Sequence, residues 1–215
     1  MQIAVLGTGM VGNAIGTKLI ELGHQVKMGS RATNNEKAVA WAKANDSNAS
    51  QGTFADAAAF GEIVFNCTSG IASLEALKLA SAKNLKGKIL LDIANPLDFS
   101  KGMPPSLSVC NTDSLSEQIQ RTFPDAKVVK TLNTMNCNLM VNPSLVPGDH
   151  DVFVSGNDAE AKTKVTEILT KWFGWKSVID LGDITTARGT EMMLPLWVRL
   201  FGKFQSGMFQ FKVVR

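Results

Sequence analysis

Three glycines at fixed spacing carry the first chemistry. Gly7-Thr8-Gly9-Met10-Val11-Gly12 follows a short apolar run, Ile3-Ala4-Val5-Leu6, and precedes residues spaced for a helix. Between a strand and a helix, this pattern reads as a phosphate-cradling dinucleotide loop. Gly7 permits the tight turn, Gly9 lets a pyrophosphate approach the backbone, and Gly12 lets the helix pack closely on the strand. The helix N-terminus presents free N–H groups and the positive end of its dipole, which together favour phosphate. The competing reading is a tight turn with no ligand.

The end of the second strand chooses the dinucleotide. An NAD site places Asp or Glu about 20 residues past the glycines, on the ribose 2′-hydroxyl. Here that place holds Gly29-Ser30-Arg31, and the next carboxylate is Glu36. A serine hydroxyl and a guanidinium fork suit a 2′-phosphate, which a carboxylate would repel. Lys37, a helical turn further, adds a second positive charge. The sequence predicts NADP over NAD, against the plainer reading of Arg31 as a solvated surface charge.

Further candidates stand where later strands should end: Cys67-Thr68-Ser69 after Ile63-Val64-Phe65, and Ala94-Asn95-Pro96 after Lys88–Ile93. In a parallel sheet, ligands lie beyond the strand C-termini, so these residues could line the ribose and nicotinamide. Ordinary turn chemistry explains Ser, Asn and Pro equally well. With His24 and His150 the only histidines, and neither CxxC nor HExxH, no metal site is expected.

These residues need a scaffold. Val11, Ala14, Ile15, Leu19 and Leu22 recur at helical spacing, broken only by the Lys18 stem, and Gly23 ends that helix before a strand at Gln25–Met28. Asn34–Ala44 reads as the second helix, capped by Asn34 or Asn35, and Asn45–Thr53 as a loop before a short helix at Ala55–Phe60. A helix with Leu74, Leu77 and Leu79 precedes the Lys88–Ile93 strand. Phe99–Asn111 reads as a surface excursion, Thr112–Phe123 as a helix, and Lys127–Leu132 as a strand. Val141–His150 reads as a loop, Asp151–Ser155 as a strand, Ala159–Phe173 as a helix capped by Asn157 or Asp158, and Trp175–Ile179 as the last strand. The alternation predicts an α/β fold with a doubly wound parallel sheet of the Rossmann type.

The expected division is a dinucleotide-binding domain over 1–182 and a C-terminal helical appendage over 183–215. In the appendage Met193, Trp197, Leu200, Phe201 and Phe204 share one helical face, and Pro195 kinks or restarts the helix. A helix this apolar wants cover, from a second subunit in a homodimer or from its own domain.

The chain has 215 residues, 45% hydrophobic and 19% charged, with a net charge of +3 and no basic run. That balance points to neither nucleic acid nor membrane. Cys67, Cys110 and Cys137, odd in number and widely spaced, fit free thiols in a reducing compartment. No apolar stretch is long enough to span a bilayer, and the first strand occupies the N-terminus, so the expectation is a cytoplasmic protein without a signal peptide.

The run GTGMVGNAIGTKLIELGHQVKMGSR resembles the start of the coenzyme F420-dependent NADP oxidoreductases, and is similar to the cytosolic domains of the six-transmembrane metalloreductases. Val128-Val129-Lys130-Thr131-Leu132-Asn133-Thr134 and the tail Asp180–Asp183, Ala187-Arg188, Glu191 and Leu194-Pro195-Leu196 agree. The resemblance implies NADP contacts from Thr8, Gly9, Met10, Val11, Ser30 and Arg31, with Cys67, Thr68, Asn95, Thr134 and Cys137 less firmly attached. It also implies terminal helices that help form a dimer and the substrate site. The expected reaction is hydride transfer between NADP(H) and a small deazaflavin or flavin acceptor, with no side chain assigned as acid or base. Two alternatives remain open: an NADPH-dependent flavin or ferric reductase, and an NADP-binding regulatory protein without turnover. Ser100–Thr112 and Asn142–His150 match no acceptor-binding pattern.

Overall fold

The computed structural model describes residues 1–45 and 47–215. Strand β1 (Gln2–Leu6) leads through the glycine turn into helix α1 (Met10–Glu21) and returns as β2 (Gln25–Ser30). Helix α2 (Glu36–Ala44) starts on Asn35, whose side chain accepts the Ala38 N–H. Then come β3 (Ala49–Thr53) and α3 (Phe54–Phe60), the helix closed by a reciprocal Thr53–Asp56 capping box. Next are β4 (Ile63–Asn66), α4 (Gly70–Ala80), the single-turn α5 (Ala82–Leu85) and β5 (Ile89–Asp92).

The excursion after β5 carries a two-residue hairpin, β6 (Leu97–Asp98) with β7 (Ser106–Leu107). Helix α6 (Leu115–Thr122), capped by Ser114, precedes β8 (Lys127–Thr131) and the short α7 (Cys137–Val141). A 3₁₀ turn at Pro143–Leu145 leads to β9 (Val152–Gly156) and α8 (Ala159–Glu167). The chain ends with β10 (Val178–Asp180), α9 (Ala187–Met192), α10 (Leu194–Phe204) and an extended tail.

The eight long strands form one sheet in the order β10-β9-β8-β5-β4-β1-β2-β3. This is the Rossmann-type arrangement, with the order reversing between β1 and β4 and a crevice above that point. Alternate residues of each strand feed two cores. Ile3, Val5, Phe65 and Val129 pack with Ile15, Leu19, Trp41 and Val165 on one face; Ala4, Leu6, Val64 and Val128 pack with Ala57, Leu77 and Ile119 on the other. Among the described residues no helix is long and apolar enough to cross a membrane.

The structure departs from the sequence expectations in five places. The sheet is not wholly parallel, because β9 runs antiparallel to β8. Residues 49–53, read as loop, form edge strand β3; Ala-Ser-Gln-Gly-Thr has no apolar alternation, and its backbone pairing to β2 makes the strand. The last strand is Val178–Asp180 rather than Trp175–Ile179, since Trp175 is buried against the core with its Nε1 donating to the Met140 carbonyl at 3.0 Å. The helix read over Ala159–Phe173 ends as a π-helical turn at Ile168–Trp172. Leu22, read into the apolar stripe of α1, and Leu79, read into the helix with Leu74 and Leu77, are exposed.

Candidate cofactor site

The glycine loop is built by contact. Gly7 has φ +117°, and a Cβ there would lie 2.6 Å from the Cys67 carbonyl oxygen; a Cβ on Gly12 would lie 2.0 Å from the Gly7 carbonyl oxygen. Both positions exclude a side chain for reasons internal to the protein. Gly9 differs: a Cβ there would meet nothing within 4 Å. Gly9 is also the N-cap of α1, no side chain caps that helix, and its first turn holds no acidic residue. The backbone therefore leaves a bare helix N-terminus with open space in front of it, which fits a pyrophosphate.

At the end of β2, Ser30 is buried and donates its hydroxyl to the Ala32 carbonyl at 2.6 Å. That proton shapes the turn, so only the lone pairs of Ser30 remain to face a ligand. Arg31 and Lys37 are exposed, and among the described residues neither forms an ion pair. Two uncompensated cations flank the cradle on its β2 side, where a 2′-phosphate fits and a bare 2′-hydroxyl gains little.

A groove of about 1030 Å³ gathers Thr8, Gly9, Met10, Lys37 and Cys137, together with Asn13, Trp41 and Asn136. It runs along α1 between α2 and α7. Val11, Ser30, Arg31, Cys67, Thr68, Ser69, Asn95 and Thr134 do not line it. They stand instead on or beyond the ends of β2, β4, β5 and β8, apart from Val11 in the first turn of α1. Cys67 is buried beneath the glycine loop, and burial with the nearby Asp92 charge pushes its thiol far up. Cys137 is half-buried in the groove wall, and burial raises its thiol as well. Thr134 is buried and Ser69 exposed. Asn95 and Asn133 exchange hydrogen bonds: Asn95 Nδ2 to the Asn133 carbonyl at 2.8 Å, and Asn133 Nδ2 to Asn95 Oδ1 at 2.9 Å.

Neither histidine lines the groove. His24 packs against Trp172 with ring centroids 4.4 Å apart, and burial lowers its pKa. His150 meets Trp175 edge-on at 5.4 Å, in a separate cavity of about 430 Å³.

The sequence reading missed a charged cluster under the strand ends. Lys130 on β8 is fully buried, 2.9 Å from Asp92 on β5 and 2.8 Å from Glu191 on α9. Burial alone would depress the lysine, but the two carboxylates outweigh it and raise its pKa. Glu191 also accepts the Leu115 and Ser116 N–H groups at 2.8 and 3.2 Å, satisfying the N-terminus of α6. The available signal was a lone charge inside each apolar strand, Lys130 in KVVKTL and Asp92 in KILLDI, since such charges are buried only in pairs.

Comparison with known proteins follows the same lines. The family model described as NADP oxidoreductase coenzyme F420-dependent matches residues 2–96. The chain is 30% identical over 216 residues to the F420-dependent NADP reductase of Methanocaldococcus jannaschii, covering 96% of this chain and 95% of that protein. A crystal structure of a candidate F420-dependent NADP-reductase from Arthrobacter sp. FB24 superposes with a TM-score of 0.95 at 54% identity, covering 99% of both chains. Metalloreductase STEAP3 of Rattus norvegicus is 28% identical over 207 residues, which are 91% of this chain and 38% of that longer protein.

Proposed function

The chain belongs to the coenzyme F420-dependent NADP oxidoreductase family, and from that premise we propose that it transfers a hydride between NADP(H) and a deazaflavin or flavin-like acceptor. It is an NADP-dependent oxidoreductase. When bound, NADP(H) supplies the hydride chemistry through its nicotinamide ring. The chain's own part is to bind, orient and exclude water. In this reading Gly7, Thr8, Gly9, Met10, Val11 and Gly12 cradle the pyrophosphate, Arg31 and Lys37 pair with the 2′-phosphate, and Ser30 shapes the turn that presents Arg31. Cys67, Thr68, Ser69, Asn95, Thr134 and Cys137 border the nicotinamide half. Residues 183–215 form a segment that completes the acceptor site and joins two copies into a homodimer.

The observation that carries this reading is the pair of exposed cations, neither in an ion pair among the described residues, beside an open, uncapped glycine turn. The test is calorimetric titration with NADPH and NADH, followed by turnover of bound NADPH against a deazaflavin acceptor. Tight NADPH, weak NADH and bleaching of the deazaflavin support it; equal affinity removes the 2′-phosphate assignment. The match to a metalloreductase favours a second reading, NADPH-dependent reduction of flavin or ferric iron, which the same assay separates by changing the acceptor.

A further inference from the structure

The buried charges fix the direction of a hydrogen-bond chain that ends at Thr68, just past the end of β4. Asp92 Oδ1 accepts from Asn66 Nδ2 at 2.8 Å and from the Ala94 N–H at 3.3 Å. Asp92 Oδ2 accepts from Ser116 Oγ at 2.5 Å and from Lys130 Nζ at 2.9 Å. Every neighbour of this carboxylate donates, so both oxygens are held as acceptors. Asn66 is then oriented without choice. Its amide nitrogen faces Asp92, with Ser73 Oγ at 3.2 Å, and its carbonyl Oδ1 faces Thr68, 2.7 Å from Oγ1.

Thr68 has one hydroxyl proton, and Asn66 Oδ1, which can only accept, takes it. Ser73 Oγ, 2.7 Å from Thr68 Oγ1, receives the Asn66 amide and sends its own proton to Thr68 or to the Ser69 carbonyl. Thr68 is half-buried just past the end of β4, and with its proton committed to Asn66 a ligand that reaches its hydroxyl meets only a lone pair. Phosphate oxygens, being acceptors, are excluded from that contact. Strand β4 begins the second mononucleotide half of the fold, opposite the glycine loop.

We propose that the Lys130–Asp92–Glu191 cluster is a positioning device which, through Asn66, leaves Thr68 able only to accept a hydrogen bond, and that Thr68 takes it from a donor on the nicotinamide riboside of NADP. Lys130 bridges Asp92 and Glu191, and Glu191 reaches it from α9, so the C-terminal segment helps set a contact on the cofactor through Lys130. The inference rests on the NADP reading above.

Calorimetry with NADPH and with 2′,5′-ADP, which lacks the nicotinamide riboside, tests it. Thr68→Val is expected to weaken NADPH about tenfold and leave 2′,5′-ADP unchanged, while Thr68→Ser restores the loss. Asp92→Asn is expected to cost NADPH a similar factor, and the double variant D92N/T68V no more than either alone. Additive losses, or a T68V effect equal for both ligands, overturn the proposal. Wild-type protein that binds NADPH, with T68V unaffected, overturns it alone; wild-type protein that binds neither ligand overturns the NADP reading with it. Should D92N fail to fold, the wild-type proton spectrum decides: a slowly exchanging Thr68 hydroxyl supports donation to Asn66, and a freely exchanging one refutes it.

Discussion

Arg31 and Gly9 do opposite jobs at one turn, and single substitutions separate them. Arg31 contributes charge with no ion-pair partner among the described residues, so Arg31→Ala is expected to leave the fold intact. It is expected to cost NADPH about 1.5–3 kcal/mol, the worth of a charged hydrogen bond, and NADH far less. Titration of both cofactors checks this, and equal losses would remove the 2′-phosphate contact. Gly9 contributes empty space: its Cβ would touch no protein atom within 4 Å, and its φ of −81° suits any residue. Gly9→Ala should therefore keep the wild-type Tm while NADPH affinity falls, because the methyl occupies the pyrophosphate approach. Gly7→Ala should instead lower stability, by about 1–3 kcal/mol of backbone strain at φ +117° plus the clash with the Cys67 carbonyl. A G9A variant that loses stability and keeps NADPH would reverse the assignment.

Between elements, α6 and α9 are fastened by charge as well as packing. Arg188 on α9 donates through Nε to Glu117 on α6 at 2.8 Å and through its terminal nitrogen to the other oxygen at 2.5 Å. The Arg188 guanidinium holds the Glu117 carboxyl below its ordinary 4.5, and Arg121 holds Asp113 at about 2 against an ordinary 3.8. Both carboxylates are depressed in the folded state, so their stabilisation is present above the unfolded values and is lost as pH falls through the folded ones. Thermal melts should accordingly be flat near neutrality and decline from about pH 4.5 toward pH 2. Lys130, raised rather than depressed, adds nothing to that acid limb; its share is present below 10.5 and is lost only above it. Arg188→Ala should start the decline at higher pH, because Glu117 keeps its burial and loses its cation. Parallel wild-type and R188A curves would mean that the pair contributes no pH-dependent stability.

For the whole molecule, α10 is the unfinished surface. Of its residues only Leu194 is buried, while Leu196, Phe201 and Phe204 stand 53%, 42% and 57% exposed. Trp197 stacks on Phe201 at 5.6 Å and on Phe209 of the tail at 5.4 Å, so the aromatic face is ordered by its own chain and still open outward. Docking on its own domain, one of the two covers the sequence allows, buries Leu194 and partly covers Trp197, Val198 and Leu200, and leaves Leu196, Phe201 and Phe204 open. Burying each large side chain is worth about 1.5–3 kcal/mol, enough to favour pairing of two copies. Sedimentation should show a dimer for the wild type and a monomer for Phe204→Asp; a monomeric wild type would end the dimer proposal. Truncation after Gly182 should abolish cooperative melting, since Lys130 would lose Glu191 and keep its burial, a break of about 3–5 kcal/mol.

The sequence alone determined what local spacing controls. Strand β1, the glycine turn, α1 and β2 were legible because a buried parallel strand, a φ-positive turn and an amphipathic helix each leave a short-range pattern. The absence of a carboxylate at Gly29-Ser30-Arg31 was legible for the same reason. Only the tertiary structure decided what depends on partners far along the chain. Edge strand β3 exists because β2 offers hydrogen bonds to a segment with no pattern of its own, and β9 reverses because it meets β8 head to tail. Lys130, Asp92 and Glu191 lie 38 to 99 positions apart, and each reads as an isolated charge until the fold removes water from all three at once. Burial then makes pairing obligatory, and with it the direction of every hydrogen bond from α9 to Thr68.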